Sequence, residues 1–326
     1  MKAIRIATTG GPEVLEWTDI EDPIAEPGQV VVDVEAAGLN FIDTYHRTGL
    51  YPMSMPMTPG LEGAGTVTAT GDGAGGVAIG DRVAWTGGIG SYAEKVAIDA
   101  ARTVPIPDPV TSDVAAAAML QGLTAHYLAI DTFPLEPGSR CLIHAGAGGV
   151  GNLLIQVAKM RGAEVFTTVG TTEKADLAKS AGADHVILYR DVDFGDAIEE
   201  IAGPRPLDVV YDGVGQAVFD RSLELLRPRG MMVQFGNASG AVEPISPLRL
   251  SQGGSLFLTR PTLFDYISTR QDLLARSTDL FTWIGNDQLN VRIGQRFPMA
   301  EAAEAHRALA ARRTTGKVLL LPPGRV

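Results

Sequence analysis

The chain has 326 residues, with 27 Lys and Arg against 38 Asp and Glu and a formal net charge of −11. That balance argues against nucleic acid and acidic membrane surfaces as partners, because phosphate recognition needs clustered basic residues. No run of about 18 apolar residues exists, and the Ala-rich stretch from 114 to 130 is broken by Gln121 and His126, so no membrane-spanning helix is expected.

The N-terminal stretch Met1 to Ala7 alternates like a strand and lacks the apolar core of a signal peptide. The single cysteine, Cys141, has no internal disulfide partner. Both features point to a cytoplasmic protein. The length suffices for two domains with good cores. Residues 1 to about 123 carry short alternating runs punctuated by Gly and Pro, including 29–35, 80–85 and 91–98. This pattern reads as an irregular all-β barrel. From 124 to about 261 apolar strand-like runs alternate with helical periodicity, with strands expected at 140–145, 164–169, 185–188, 207–211, 230–235 and 255–259. That order predicts a doubly wound parallel sheet, so the fold class is α/β with a second, β-barrel domain. Residues from 262 are helical, and the run Lys317 to Leu321 is a strand that rejoins the β domain.

The most informative stretch is Arg140 to Gly151. Cys141 to Ala145 reads as a buried strand, with an inert thiol inside it. Gly146, Gly148 and Gly151 then stand at G-x-G-x-x-G spacing, and Val150, Leu154, Val157 and Ala158 recur at helical spacing. Strand, glycine turn and helix in that order suit a dinucleotide: tight turn, close approach to a pyrophosphate, close helix–strand packing. Ala147, Gly148, Gly149 and Val150 are the expected pyrophosphate holders, at a helix N-terminus that favours anions.

The second strand of such a fold carries a carboxylate at its tip when the ribose 2′-hydroxyl is to be bound. Here the strand ends at Gly170, followed by Thr171. Gly170 leaves room for a 2′-phosphate, Thr171 can donate to it, and Lys174 can pair with it. Tyr189 and Arg190 follow the third strand and can close over the adenosine. NADPH is therefore expected over NADH, with Glu173 the one feature that argues the other way.

The chain resembles the medium-chain dehydrogenase/reductases, and within them the zinc-free, zeta-crystallin-like quinone oxidoreductases. The motifs that carry the resemblance include Asn40-Phe-Ile-Asp-Thr-Tyr45, Gly49-Leu-Tyr51, Pro59-Gly-Leu-Glu-Gly63, Gln121-Gly-Leu-Thr-Ala125, Val209-Val-Tyr-Asp212 and Phe235-Gly-Asn237. The resemblance implies a GroES-like β domain at 1–123 and 262–326 and a Rossmann domain at 124–261. The zinc enzymes of this superfamily place a Cys near the position of Asn40 and a His in a Gly-His-Glu motif, where this chain has Gly60-Leu61-Glu62. The five His show no metal-ligand spacing, so no metal is expected. A site without a Lewis acid favours an acceptor that is already electron-poor, such as a quinone or a conjugated enone.

By the same resemblance Asn40, Tyr45, Tyr51 and Thr124 line the nicotinamide and acceptor site. Asn40 orients a ribose or acceptor oxygen, and the tyrosines form an aromatic wall that donates to a quinone oxygen. Asp43 reads as a local structural group. Phe235, Gly236 and Asn237 at the end of the fifth strand, and Leu258, Thr259 and Arg260 at the end of the sixth, are expected beside the cofactor. Arg312 matches an arginine that only some members use, and the run Arg307, Arg312, Arg313, Lys317 otherwise reads as a solvated face. The reading is an NADPH:quinone oxidoreductase. A double-bond reductase acting on enones or enoyl thioesters and a non-catalytic NADPH-binding sensor or structural protein remain as alternatives. The sixth strand, at a sheet edge, is expected to pair with its copy in a homodimer.

Overall fold

Apolar alternation sets the first part of the molecule, and the computed structural model describes residues 1–325. The strands β1 (Lys2–Arg5) and β2 (Glu16–Asp19) pair antiparallel. The chain continues through β3 (Gln29–Leu39), helix α1 (Phe41–Thr48), β4 (Glu62–Thr70), β5 (Arg82–Thr86), β6 (Lys95–Asp99) and β7 (Thr103–Pro105). Helix α2 (Ser112–Tyr127) follows, with a further helical turn over Leu128–Thr132. The strand expected over 91–98 is regular only from Lys95. Before that, Tyr92 and Glu94 pair with β1 through isolated bonds, Ile4 N–H to Tyr92 O and Glu94 N–H to Lys2 O.

The Rossmann sheet comes next. It comprises β8 (Arg140–His144), β9 (Glu164–Val169), β10 (His185–Leu188), β11 (Leu207–Asp212), β12 (Leu226–Gln234) and β13 (Phe257–Thr259). The intervening helices are α3 (Gly149–Met160), α4 (Thr172–Ser180), α5 (Phe194–Ala202), α6 (Phe219–Glu224) and α7 (Pro247–Gln252), with α8 (Leu263–Tyr266) after the last strand. All pairings are parallel, in the order β10-β9-β8-β11-β12-β13. The order reverses at β8 and β11, the position where such sheets bind ligands beyond their carboxyl ends. β13 starts later than the sequence suggests because Ser255 adopts φ 56°, a left-handed turn that delays the strand. It lies at the sheet edge, with Phe257 56 % exposed.

The chain then forms α9 (Arg270–Gly285), β14 (Ile293–Pro298), α10 (Ala302–Ala310) and β15 (Lys317–Leu321). β15 pairs antiparallel with β3, Val318 opposite Leu39 and Leu320 opposite Ala37. The seven-stranded sheet runs β14-β15-β3-β4-β5-β7, with β6 on β3. By internal contacts the chain divides into two units, Met1–Leu123 with the residues from Ile267 onward, and Thr124–Tyr266.

Each unit has its own core. Trp85, Tyr92, Ile4, Ile6 and Leu39 are fully buried in the first, and Trp85 satisfies its indole by donating to Ser91 Oγ at 2.9 Å. In the second, Leu142, Phe166, Val210 and Met232 pack between sheet and helices. His144 is buried there between Thr168 Oγ1 and Ser222 Oγ, both at 2.9 Å, and burial pushes it down to about 3. Cys141 is fully buried, and the same desolvation raises its thiol. Among the described residues no helix is long and apolar enough to cross a membrane.

Candidate active site

In the first unit the residues gather around Asn40. Asn40 follows β3 and caps α1, whose first turn is closed when Asp43 Oδ2 accepts the Asn40 backbone N–H at 2.8 Å. The Asn40 side chain is only 4 % exposed. Its Oδ1 accepts from Gln121 Nε2 at 3.0 Å and from Lys317 Nζ at 2.9 Å. Its Nδ2 donates to Glu62 Oε1 at 2.5 Å and reaches Gly38 O at a long 3.5 Å. Glu62 Oε1 also takes a hydrogen bond from Lys317 Nζ, and Glu62 Oε2 accepts the Leu120 N–H at 2.7 Å. Gly38 is glycine because this cluster presses on it. A Cβ there would run into the Glu62 carboxylate and lie 2.6 Å from Lys317 Cε.

Lys317 is therefore not part of a solvated basic face. It is 1 % exposed and paired with a fully buried carboxylate, because its side chain points from β15 into the unit. Desolvation lowers its ammonium, opposed by the Glu62 charge. Of the other members of that run, Arg307 and Arg313 pair with Glu304 at the surface. Arg312 is exposed in the turn after α10, at φ 58°.

Asp43 is fully buried, and desolvation raises its carboxyl to about 7 against the pull of the Asn40 N–H and the Tyr92 hydroxyl, which donates to Oδ2 at 2.9 Å. Further along α1, Tyr45 meets Tyr51 edge-on, ring centres 5.2 Å apart at 63°. The Tyr51 N–H donates to Tyr45 O, so the chain beyond Gly49 folds back onto the helix. Thr124 lies one turn after Gln121 on α2 and is buried.

In the second unit the expected residues sit at the carboxyl ends of the strands. Gly148 precedes α3 and no side chain caps that helix, which leaves its first-turn N–H groups without a protein partner from a cap. A Cβ on Gly148 would meet only the Ala145 carbonyl oxygen, at 3.1 Å, so the space in front of it is open. A Cβ on Gly151 would collide with that same carbonyl, which gives the third glycine its packing role. At the tip of β9 a Cβ on Gly170 would lie 2.8 Å from Tyr189 Oη and 3.3 Å from Arg190 Nε. Gly170, Tyr189 and Arg190 are thus brought together. Thr171 caps α4, accepting the Lys174 backbone N–H at 3.3 Å, and keeps its hydroxyl proton to donate. Among the described residues no carboxylate pairs with Arg190. These features fit a dinucleotide bearing a 2′-phosphate: an uncapped helix N-terminus behind an open glycine, and a basic, glycine-floored corner.

Phe235, Gly236 and Asn237 follow β12. Gln234 Nε2 donates to Asn237 Oδ1 at 3.0 Å and to Gly236 O, shaping that turn against Gly213. Leu258 and Thr259 close β13, Thr259 beside Val233, and Arg260 follows. The sequence motif at Asp212 had carried no role. In the structure its Oδ1 takes the N–H groups of Val214 and Gly215 at 2.7 and 2.9 Å, its buried Oδ2 has no hydrogen-bond partner among the described residues, and burial raises the carboxyl to about 6. Glu62, Gln121 and Lys317 stand in sequence motifs or runs that give them no site role. The signal that could have found them is Gly38 inside an apolar strand, since a mid-strand glycine marks a close approach.

Comparison with known proteins gives two family matches, Alcohol dehydrogenase GroES-like domain over residues 26–108 and Zinc-binding dehydrogenase over 149–282. The chain is 45 % identical over 323 residues to a quinone oxidoreductase of Pseudomonas aeruginosa, covering 98 % of this chain and 99 % of that protein. It is 38 % identical over 321 residues to a 2-haloacrylate reductase of a Burkholderia species, covering 96 % of each. Among solved structures it matches Escherichia coli quinone oxidoreductase complexed with NADPH, with a TM-score of 0.97, 41 % identity, and 99 % and 100 % of the two chains covered.

Proposed function

The chain belongs to the quinone oxidoreductases of the medium-chain dehydrogenase/reductase superfamily, and from that premise we propose that it reduces quinones with NADPH and without zinc. The observation that carries the reading is the cluster at Asn40. Where zinc relatives hold metal ligands, this chain has Asn40 and Leu61, and the neighbouring Glu62 is bonded to an ammonium, Lys317. An acceptor in such a site has to be electron-poor already. NADPH, when bound, supplies the hydride, and one proton completes the conversion of quinone and NADPH to hydroquinone and NADP⁺.

The residues divide the remaining work. Ala147, Gly148, Gly149 and Val150 hold the pyrophosphate at the start of α3. Gly170, Thr171, Lys174 and Tyr189, with Arg190, select the 2′-phosphate. Phe235, Gly236, Asn237, Leu258, Thr259 and Arg260 hold the nicotinamide side of the cofactor, and Thr124 faces its ring. Arg312 makes a peripheral cofactor contact. Asn40 offers its second amide proton, which makes only the 3.5 Å approach to Gly38 O, to a ribose or acceptor oxygen. Tyr45 and Tyr51 form the aromatic wall and donate to the quinone oxygen, where charge develops. The catalytic domain is 1–123 with 262–326 and the NADPH domain 124–261. The protein is cytoplasmic and a homodimer, joined by pairing of β13 with its copy, whose outward Phe257 and Leu258 are apolar and exposed.

The test is NADPH oxidation by chelator-dialysed protein, followed at the nicotinamide absorbance with a benzoquinone, a naphthoquinone and a simple enone. Rapid quinone turnover untouched by the chelator supports the reading. Turnover confined to the enone moves it to a double-bond reductase, which the similarity to 2-haloacrylate reductase favours as second reading. Tight NADPH binding with silence on all three leaves a sensor.

A further inference from the structure

Burial of Glu62 and Lys317 is not explained by stability. Removing two charges from water is expensive, and well-packed apolar residues in their place are often neutral or better. What the pair does is constrain a third residue. Lys317 Nζ donates to Asn40 Oδ1, and Glu62 Oε1 accepts from Asn40 Nδ2. A flipped Asn40 amide would set its NH₂ against the ammonium and its oxygen against the carboxylate, two repulsive contacts in a dry site. Gln121 Nε2 adds a third constraint in the same sense. The amide thus has one permitted orientation.

We propose that Glu62 and Lys317 are positioning residues for hydride transfer: together they lock the Asn40 amide, and through Asn40 the start of α1, in the one orientation from which its second amide proton, held only by the long approach to Gly38 O, serves the cofactor or acceptor. The proposal rests on the NADPH-dependent reduction argued above. Asn40 opens the helix that carries Tyr45, so a loosened Asn40 displaces the aromatic wall as well. Misplacement on the scale of an ångström slows an oriented reaction severely.

The E62Q/K317M double variant removes both charges with little change in size and leaves neither one buried alone. Its turnover number with a benzoquinone is expected to fall about tenfold, the equivalent of about 1.4 kcal/mol. The primary isotope effect with 4-deuterated NADPH is expected to rise, because hydride transfer becomes slower relative to product release. A role in folding alone would reduce the active fraction and leave the isotope effect where it was, which overturns the proposal. Asn40→Ala placed on the double variant should cost nothing further, and losses that multiply would also overturn it. Should that double variant fail to fold, E62Q/K317Q is a second neutral pair that leaves no charge buried alone, and it is expected to show the same effects.

A second readout needs no turnover. With selective ¹⁵N-asparagine labelling, exchange of the Asn40 side-chain amide protons is expected to quicken about tenfold or more in the variant. Unchanged exchange refutes the lock. If the wild type proves silent on quinones, the functional reading fails and the exchange result alone decides the positioning.

Discussion

Replacing Arg190 with Ala isolates the selection of NADPH over NADH. The strand end at Gly170 has no side chain of its own, and the tips of Tyr189 and Arg190 lie over it. Arg190 has no acidic partner among the described residues, so a 2′-phosphate meets it without first displacing a carboxylate. A charge-assisted hydrogen bond contributes about 1.5–3 kcal/mol. Arg190 is exposed, so the lower end applies, about 1.5–2 kcal/mol, and the dissociation constant for NADPH should rise roughly 10- to 30-fold. NADH lacks the phosphate, and its affinity should not change. The assay is titration of nicotinamide fluorescence with both cofactors at two ionic strengths, the NADPH advantage shrinking at high salt because the contact is screened. Equal weakening of NADH and NADPH would show that Arg190 serves the adenosine or the fold rather than the phosphate, and the reasoning would be wrong.

Tyr45→Phe and Tyr51→Phe each keep the edge-on ring pair and remove one hydroxyl. Whichever tyrosine donates to the quinone oxygen should lose up to about tenfold in kcat, and no loss in either variant excludes the donor role. Asp43 gives a pH prediction. Its carboxyl is raised from 3.8 to about 7 in the fold, so the native state favours the neutral form. The stability this adds is present below the unfolded pKa and is lost as pH rises through about 7. Urea midpoints measured from pH 4 to 8 should show that component in the wild type and lack it in Asp43→Asn; parallel curves exclude it. Phe257→Glu puts a charge on the exposed edge of β13; if the proposed dimer forms through that edge, the wild type should sediment as a dimer and the variant as a monomer. A variant that sediments like the wild type points to a different interface.

Periodicity and punctuation carried most of the Rossmann half. Apolar runs bounded by glycine turns gave β8, β9 and β10 almost residue by residue, because parallel strands are buried on both faces and their composition says so. β12 and β13 were less legible. β12 carries a left-handed residue, Arg229, within its span where its register against β11 shifts, and β13 begins after another at Ser255; neither residue type gives warning of that conformation in sequence. A Cβ on Gly151 would strike the Ala145 carbonyl, which is the close packing that the third glycine of the fingerprint implies. The cluster around Asn40 was not legible. Lys317 is separated by 277 residues from Asn40, and nothing in a basic run distinguishes a lysine that will be buried from one that will stay in water. Only the pairing of β15 with β3 makes the difference.

That pairing has a consequence for biosynthesis. The first 123 residues leave the ribosome long before residues 317–321, yet β3 lacks one of its neighbours and Asn40 lacks its ammonium until those residues arrive. A contact so distant along the chain closes late, after the intervening Rossmann unit has had time to form. A truncated product ending in α10 could therefore still hold NADPH through a folded second unit, while its unpaired β3 edge and uncompensated Glu62 would mark it for chaperones and proteases. Pairing of β15 with β3 is thus the step that completes the Asn40 cluster.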